Sequence, residues 1–253
     1  MKMSKTLLSI ACAMVSLSAF ADTTDIKASN NEVGIQMTAT NVNYTETGNI
    51  NSGLSTENGG VPGFALTASV MKDLLLGNDY IQAEYDRSSG GTNGVYYSPY
   101  GSYQQQDSAL MQDYHVRYGK GFGITDQVMV TPYAEIGTQQ WDRGGIFSGT
   151  YTNDYYGAGV LGQYSPINRL VLSGNAFLGH TYDANLNSSS YGSLGNDNLY
   201  RIGASADYAL SQSIHANVGV DYTQFKYGAS AVLFQPNSQS DYTTVKVGLS
   251  YAF

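Results

Sequence analysis

The sequence predicts an all-β fold in which a single antiparallel barrel crosses a membrane, and three observations predict it. Segments of alternating apolar and polar residues recur along the chain, the charges in these segments share the polar face, and the connections are alternately short and long. Alternation with a period of two places neighbouring side chains on opposite faces of a strand. No apolar stretch of helical length follows the N-terminal segment. Because only helices and closed barrels satisfy every backbone polar group in lipid, the predicted sheet must close.

The N-terminal segment has the pattern of an export signal. An apolar run at 7–20 follows two lysines and ends in the small-x-small pattern at 19–21. This run is shorter than the roughly 20 residues that a membrane-spanning helix needs. Cleavage after Ala21 is therefore predicted rather than a retained anchor. The predicted domains are a cleaved signal peptide at 1–21 and a barrel at 22–253.

The composition narrows the classes of partner. The chain carries 20 acidic and 12 basic residues, a formal charge of −8 at pH 7, which argues against a nucleic-acid partner. Its one cysteine, Cys12, lies in the predicted signal peptide, so no disulfide is expected in the mature chain. No cofactor is expected. His180 and His215 lie on different predicted strands, and no residue spacing predicts a metal site.

The last strand shows the clearest alternation. Its outward face is apolar and carries Val245, Val247, Leu249, Tyr251 and Phe253. Small or polar residues alternate with them. Nine earlier segments share this character, at 33–40, 63–70, 80–86, 113–118, 128–137, 155–160, 170–181, 200–208 and 214–223. Together they predict ten strands, an even number, with eight as the alternative.

The charged residues of these segments are confined to one face, and none of the outward positions carries a charge. A soluble sandwich would place such charges in water. A cation at the midplane of a lipid-facing surface costs about 2 to 4 kcal/mol, so the charged face lines the lumen if the apolar face meets lipid. The predicted lumen residues are Glu84, Asp86, Asp113, His115, Arg117, Glu135, Arg201, Asp207, Asp221 and Lys246.

Two ion-pair networks are predicted in the lumen. Arg201 lies opposite Asp221 if the turn between their strands is centred on Ser211. Residues from three consecutive strands form the second network, nearer the external half: Glu84, Asp113, His115, Arg117 and Glu135. A barrel of this size must fill its interior, and buried charges must be paired, so the networks are interpreted as structural. The alternative is a hydrolase built from an acidic pair and His115.

The connections follow the pattern of a barrel with short turns at one end. Short connections are predicted near 72–79, 121–126, 165–169 and 209–213, and long ones near 45–60, 87–108, 141–152, 182–197 and 227–240. In outer-membrane barrels the short turns face the periplasm and the long loops face outward. Both termini are therefore predicted to lie in the periplasm.

Two of the long loops carry candidate contact residues. The first is rich in tyrosine and glycine, a composition that makes adaptable contact surfaces. Its candidates are Tyr96, Tyr97, Tyr100 and Tyr103, and those of the other loop are Leu233 and Phe234. The alternative is that the tyrosines extend the strand ends and the apolar pair packs on neighbouring loops.

The chain resembles small bacterial outer-membrane β-barrel proteins of the opacity and OmpA-transmembrane type. The resemblance covers the barrel and depends on the export site at 19–21, the strand at 131–137 and the ending from Val245 to Phe253. It implies a Gram-negative outer membrane as the location, with outer-membrane lipid and lipopolysaccharide as surroundings. It also implies that the barrel-assembly machinery recognises the C-terminal pattern.

Three functions remain open from the sequence. The first is a structural or surface-interaction role, adhesion-like, in which loops 87–108 and 227–240 contact a host or phage surface ligand. The second is a small porin with a water path along glycine-lined stretches of the wall. The third is a barrel-wall hydrolase, acting on peptide or lipid, that depends on His115 and Glu135. The first is preferred, and the chain is not expected to be an enzyme.

Overall fold

The computed structural model describes residues 23–48, 54–145, 148–186, 192–230 and 236–253. The predicted signal peptide and the loop residues Leu233 and Phe234 lie outside the described residues. The elements are α1 (Thr24–Ser29), β1 (Glu32–Thr47), β2 (Leu54–Lys72), β3 (Asp79–Ser98), β4 (Gly101–Lys120), β5 (Phe122–Thr125), β6 (Val128–Arg143), β7 (Gly149–Ile167), β8 (Leu170–Leu186), β9 (Asn198–Ala209), β10 (Ile214–Tyr227) and β11 (Asn237–Ala252). None of the described helices is long and apolar enough to cross a membrane.

Ten of the strands close into one antiparallel barrel. The first strand pairs with the last, from Glu32↔Ala252 to Thr47↔Asn237. Strand β4 pairs with β6, so β5 is a short hairpin strand against the beginning of β6. The predicted all-β barrel and its strand count of ten are therefore confirmed, and the alternative of eight strands is wrong.

The two faces of the wall are sorted as the alternation predicts. Outward apolar side chains are exposed at the barrel surface, as Met37 (79% exposed) and Leu178 (66%) illustrate. The C-terminal residues Val245 to Phe253 alternate in the same way, and their outward members are exposed. Charged residues at the alternate positions, such as Arg117 and Lys246, are buried inside. An apolar band facing outward and a polar interior are the arrangement that a lipid-embedded barrel requires.

The two ends of the barrel differ. At one end, here called the turn end, the barrel strands are joined by the short connections 73–78, 121–127, 168–169 and 210–213, the second of which contains β5. The chain ends there too, because the Phe253 N–H donates to the carbonyl oxygen of Asn31 at 3.0 Å. At the opposite end, here called the hairpin end, strand pairing continues well past the wall. A strand of about 9 to 11 residues spans a membrane, whereas β3 and β4 each have 20.

The predicted loop at 87–108 is mostly strand. Pairing between β3 and β4 runs without interruption from Asp79↔Lys120 to Ser98↔Gly101, leaving Pro99 and Tyr100 as the turn. Glycine, serine and glutamine occupy both faces of this extension, so the alternation that identifies a strand in the sequence is lost there. Backbone hydrogen bonds between the two neighbours continue without it.

Side chains fill the lumen from both ends. At the turn end, α1 lies at the mouth of the barrel with Ile26 fully buried, and Asn30 Nδ2 donates to Gln163 Oε1 at 2.7 Å. Toward the hairpin end a set of large aromatic side chains is buried; we call it the aromatic layer. Its members are Tyr44, Trp141, Tyr151, Tyr155, Phe177, Phe225, Tyr227 and Tyr242.

Candidate functional site

The interior between α1 and the aromatic layer holds the charged side chains. Lys246 of β11 crosses the lumen to three carboxylates on other strands. Its Nζ donates to Glu84 on β3, and it lies 3.1 Å from Asp86 Oδ2 and 3.2 Å from Asp221 Oδ2. One ammonium therefore ties β11, β3 and β10 together through charge-assisted contacts, which are stronger than hydrogen bonds between neutral groups.

Glu135 is held between two arginines. Arg117 Nε donates to its Oε2, and Arg201 Nη1 donates to its Oε1 at 2.6 Å. The arginines use their remaining donors as well, because Arg117 Nη1 donates to Gln82 at 2.9 Å and Arg201 Nη2 to the Tyr155 hydroxyl at 3.1 Å. All three charged groups are buried. Such a buried cluster is stable only because each charge is paired and hydrogen-bonded.

His115 connects the two clusters. Its Nδ1 lies 2.7 Å from Asp113 Oδ1, and its Nε2 lies 3.9 Å from Glu84 Oε2. Asp113 in turn lies 3.9 Å from Arg201 and accepts a hydrogen bond from the Tyr155 hydroxyl. Nine of the ten predicted lumen residues, all except Asp207, thus form one network around a common interior, rather than two. The partition into two networks is wrong.

The predicted pair of Arg201 with Asp221 is also wrong. Arg201 lies opposite Thr223 and donates to its Oγ1 at 3.3 Å, whereas Asp221 lies opposite Gly203 and pairs with Lys246. The turn between β9 and β10 is centred one residue later than Ser211. In an antiparallel pair, a shift of one residue in the turn centre moves the partner by two positions.

A further buried ion pair, separate from this network, lies within the aromatic layer. Arg143 Nε donates to Glu57 Oε2 at 2.6 Å. The guanidinium carbon lies 4.5 Å from the ring centroid of Tyr44 and 5.0 Å from that of Trp141, distances typical of cation–π contacts. The sequence prediction missed this pair because it ended the β6 alternation at Gly137. If the alternation is continued beyond Gly137, the inward positions that follow Glu135 include Trp141 and Arg143.

A small polar cavity remains between α1 and the aromatic layer. Its volume is about 220 Å³, below the roughly 300 to 1,000 Å³ of ordinary ligand pockets. It extends from Asn30 after α1 to Phe225 and Tyr242 of the aromatic layer. Such a space fits waters or one small ligand.

The predicted contact residues lie at the tip of the β3–β4 hairpin. Tyr100 is completely exposed in the turn, and Tyr97 and Tyr103 are exposed on the two strands beside it. Tyr96 lies opposite Tyr103 in the strand register. Residues 101–104 are exposed on both faces of the strand, so the tip stands clear of the barrel.

Comparisons with known proteins give structural matches alone. No protein-family model matches the chain, and no curated protein sequence matches it. The outer membrane protease OmpT of Escherichia coli is 10% identical with a TM-score of 0.55, over 88% of this chain and 97% of that chain. The translocator domain of the autotransporter NalP of Neisseria meningitidis is 13% identical with a TM-score of 0.46, over 98% and 97%. Ail, the attachment invasion locus protein of Yersinia pestis, is 12% identical with a TM-score of 0.36, over 88% and 99%.

The likeness to OmpT is one of fold. Its identity is too low to carry a function from one chain to the other, and the matched proteins differ among themselves in role. Function on a shared fold depends on the particular site. The role of this chain must therefore be argued from its own residues.

Proposed function

We propose that this outer-membrane β-barrel acts at the cell surface, in an adhesion-like role, through the tip of its β3–β4 hairpin. One observation carries the proposal: side chains fill the interior except for the small polar cavity, whereas the tip at 96–103 stands clear of the barrel with exposed tyrosines. The chemistry available for contact is therefore concentrated outside the wall.

The hairpin end is assigned to the cell exterior. Short connections and both ends of the described chain lie at the turn end, which matches the periplasmic side of outer-membrane barrels. The predicted export signal at 1–21, with cleavage after Ala21, would deliver the chain to the periplasm, from which such a barrel would enter the membrane. The outward apolar ending from Val245 to Phe253 would then be presented to the barrel-assembly machinery from the periplasm.

The tyrosines suit contact with a host surface. A tyrosine side chain offers a large rigid ring with a polar hydroxyl and has only two torsions to order, so it contributes contact area at a low cost in entropy. Tyr97, Tyr100 and Tyr103 are spaced along one short hairpin, so a single partner surface could engage all of them.

The filled interior argues against the porin hypothesis. The ion pair of Arg143 with Glu57 and the rings around it lie across the hairpin end, and α1 lies across the turn end. The hydrolase hypothesis meets the same obstacle. A general base needs a ring nitrogen whose lone pair is available, and His115 Nε2 has no hydrogen-bond partner among the described residues. However, a peptide or lipid substrate would have to pass the aromatic layer to reach it.

An adhesion assay with matched variants tests the proposal. Escherichia coli cells displaying the barrel should adhere to cultured epithelial cells, and replacing Tyr97, Tyr100 and Tyr103 together by serine should reduce adherent cells by about tenfold or more. A tenfold change in a binding constant corresponds to about 1.4 kcal/mol. Truncating one interface hot spot commonly costs about 2 kcal/mol or more, so the loss of three tyrosine contacts is large enough to cause this effect.

The matched control is Tyr182→Ser. Tyr182 is also exposed and lies on β8 toward the hairpin end, away from the tip. Its replacement should leave adhesion unchanged. Equal adhesion by the triple variant and the parent barrel, at equal surface abundance, would overturn the proposal, as would a parent barrel that adds no adhesion to the displaying cells.

A further inference from the structure

A group of ligand-type side chains lies at the turn end of the lumen, apart from the network around Lys246. Glu32 begins β1, Asp207 lies near the end of β9, and His215 lies near the beginning of β10. The three side chains point inward. The strand register brings them together, since Glu32 lies opposite Ala252, and His215 opposite Ser250 of the same β11 strand.

The donor atoms converge. His215 Nδ1 lies 2.7 Å from Asp207 Oδ1 and 3.6 Å from Glu32 Oε2, and one ligand atom from each residue lies within 4.8 Å of the others. Ligand atoms that bind one divalent ion at about 2.0 to 2.2 Å are separated from each other by roughly 3 to 4 Å. An ion fits among these three atoms with small adjustments of the side chains.

The two carboxylates of this group have one basic partner between them. Among the described residues, neither Glu32 nor Asp207 forms an ion pair with a lysine or arginine, and the basic partner of both is His215. By contrast, the lumen carboxylates of the central network each contact a cation: Glu84, Asp86 and Asp221 contact Lys246, and Glu135 and Asp113 contact Arg201. Two carboxylates beside one imidazole have at most one positive charge between them, whereas buried charges are ordinarily paired or bind metals.

A second observation points to a missing partner. The other carboxylate oxygen of Asp207, Oδ2, is buried and has no hydrogen-bond partner in the described part of the chain. A buried carboxylate oxygen without a donor is destabilised by desolvation. The neighbouring His215 is buried as well, at 3% exposed.

We propose that Glu32, Asp207 and His215 bind one divalent transition-metal ion of the Zn²⁺ type. One imidazole nitrogen and two carboxylate oxygens form a ligand set that zinc accepts, and the imidazole disfavours Mg²⁺ and Ca²⁺, which prefer all-oxygen sites. On binding, His215 coordinates through the Nδ1 lone pair and carries its one ring proton on Nε2. A neutral ring with its proton on Nδ1 changes tautomer, and a doubly protonated ring releases the Nδ1 proton to solvent. The two carboxylates neutralise the ion.

Side chains around the site hold the Glu32 carboxylate in place. Ser250 Oγ donates to Glu32 Oε2 at 2.5 Å, Asn217 Nδ2 lies 3.4 Å from Ser250 Oγ, and Gln36 Nε2 donates to Asn217 Oδ1 at 2.8 Å. Hydrogen bonds of this kind orient metal ligands, and their loss commonly reduces metal affinity by about 10- to 100-fold. The bound ion would fasten β1, β9 and β10 beside α1 at the mouth of the barrel.

Titration of the purified barrel with metal salts tests the site. The full chain is refolded in detergent, stripped with a chelator, and titrated with ZnCl₂ by calorimetry and with CoCl₂ by visible absorption. The expected result is one ion per barrel, with a Co²⁺ spectrum of a site that includes nitrogen. His215→Asn should abolish both signals, whereas His180→Asn should leave them unchanged because His180 is exposed on the outward face of β8.

A second variant covers the case in which His215→Asn does not fold. Ser250→Ala removes a neutral hydroxyl at the site, and it should weaken Zn²⁺ binding by about tenfold or more while the barrel keeps its heat-modifiable gel mobility. The proposal is overturned by a stoichiometry of zero, by unchanged binding in the folded His215→Asn and Ser250→Ala variants, or by equal affinity for Mg²⁺ and Zn²⁺.

Discussion

Lys246 is the residue on which the central network depends most. It is buried, and it is the shared cationic partner of Glu84, Asp86 and Asp221. Replacing it by methionine keeps much of its volume but leaves these carboxylates without their cation. Removing one partner of a buried ion pair costs about 3 to 5 kcal/mol. We therefore expect Lys246→Met to lower the free energy of unfolding in urea, measured in detergent, by about that amount.

The matched control is Lys226→Met. Lys226 lies on the outward face of β10 at the hairpin end, where its Nζ is 5.9 Å from the Tyr200 ring centroid. Replacements at such positions change the free energy of unfolding by about 0.5 kcal/mol or less. If the two methionine variants unfolded at the same urea concentration, the assigned role of Lys246 would be wrong.

Within the predicted strand segments, the face of each charged residue could be predicted from the sequence, but its partner could not. A period of two places Arg201, Asp221 and Lys246 inside without any knowledge of the turns. Pairing requires the register, and the register of β9 and β10 depends on a turn whose centre the sequence does not mark. Contacts across the lumen, such as that of Lys246 with Glu84, also depend on the curvature of the closed sheet. The local sequence does not specify that curvature.

At the scale of strands, Gly137 provides clearance for the aromatic layer. A Cβ at this position would lie 2.5 Å from the Tyr155 ring and 2.6 Å from the Tyr114 carbonyl oxygen. The second contact is with backbone, which cannot move without disturbing the pairing of β4 with β6. Overpacking of this kind costs about 1 to 3 kcal/mol. We expect Gly137→Ala to lower the temperature at which the barrel loses its compact gel mobility.

The control for this substitution is Gly174→Ala on β8. The nearest atom to a Cβ there is the Gly203 carbonyl oxygen at 3.9 Å, an ordinary contact. Its transition temperature should stay within a degree or two of the parent, since a change well under 1 kcal/mol is expected. A Gly137→Ala variant as stable as Gly174→Ala would contradict the close packing of Tyr155 against β6.

The extents of the elements were only partly predictable. Each of the ten predicted segments lies on a strand, because a lipid-facing wall imposes strict alternation there. Beyond the wall both faces meet water, so the pattern disappears and the β3–β4 extension reads as a loop. Helix α1 has six residues, too few to show a repeating helical pattern in the sequence. Its place in the lumen is evident from the buried side chain of Ile26 rather than from any motif.

At the scale of the whole molecule, the closure of the barrel and the filling of its lumen by side chains are linked. An even number of strands and charges on one face predicted the barrel, and the size of such a barrel predicted a filled interior. The identity of the filling was not predicted. The aromatic layer comes from alternate positions beyond the segments whose alternation is clear, and Trp141 and Tyr44 are examples.

Single-channel recording in planar lipid bilayers tests the closed barrel most directly. The refolded full chain is inserted, insertion is verified by protection of the wall from added protease, and current is recorded at both polarities. The account predicts a silent membrane, because Arg143 with its surrounding rings and α1 fill the lumen at its two ends. Sustained conductance steps of uniform size would contradict it and would favour a porin.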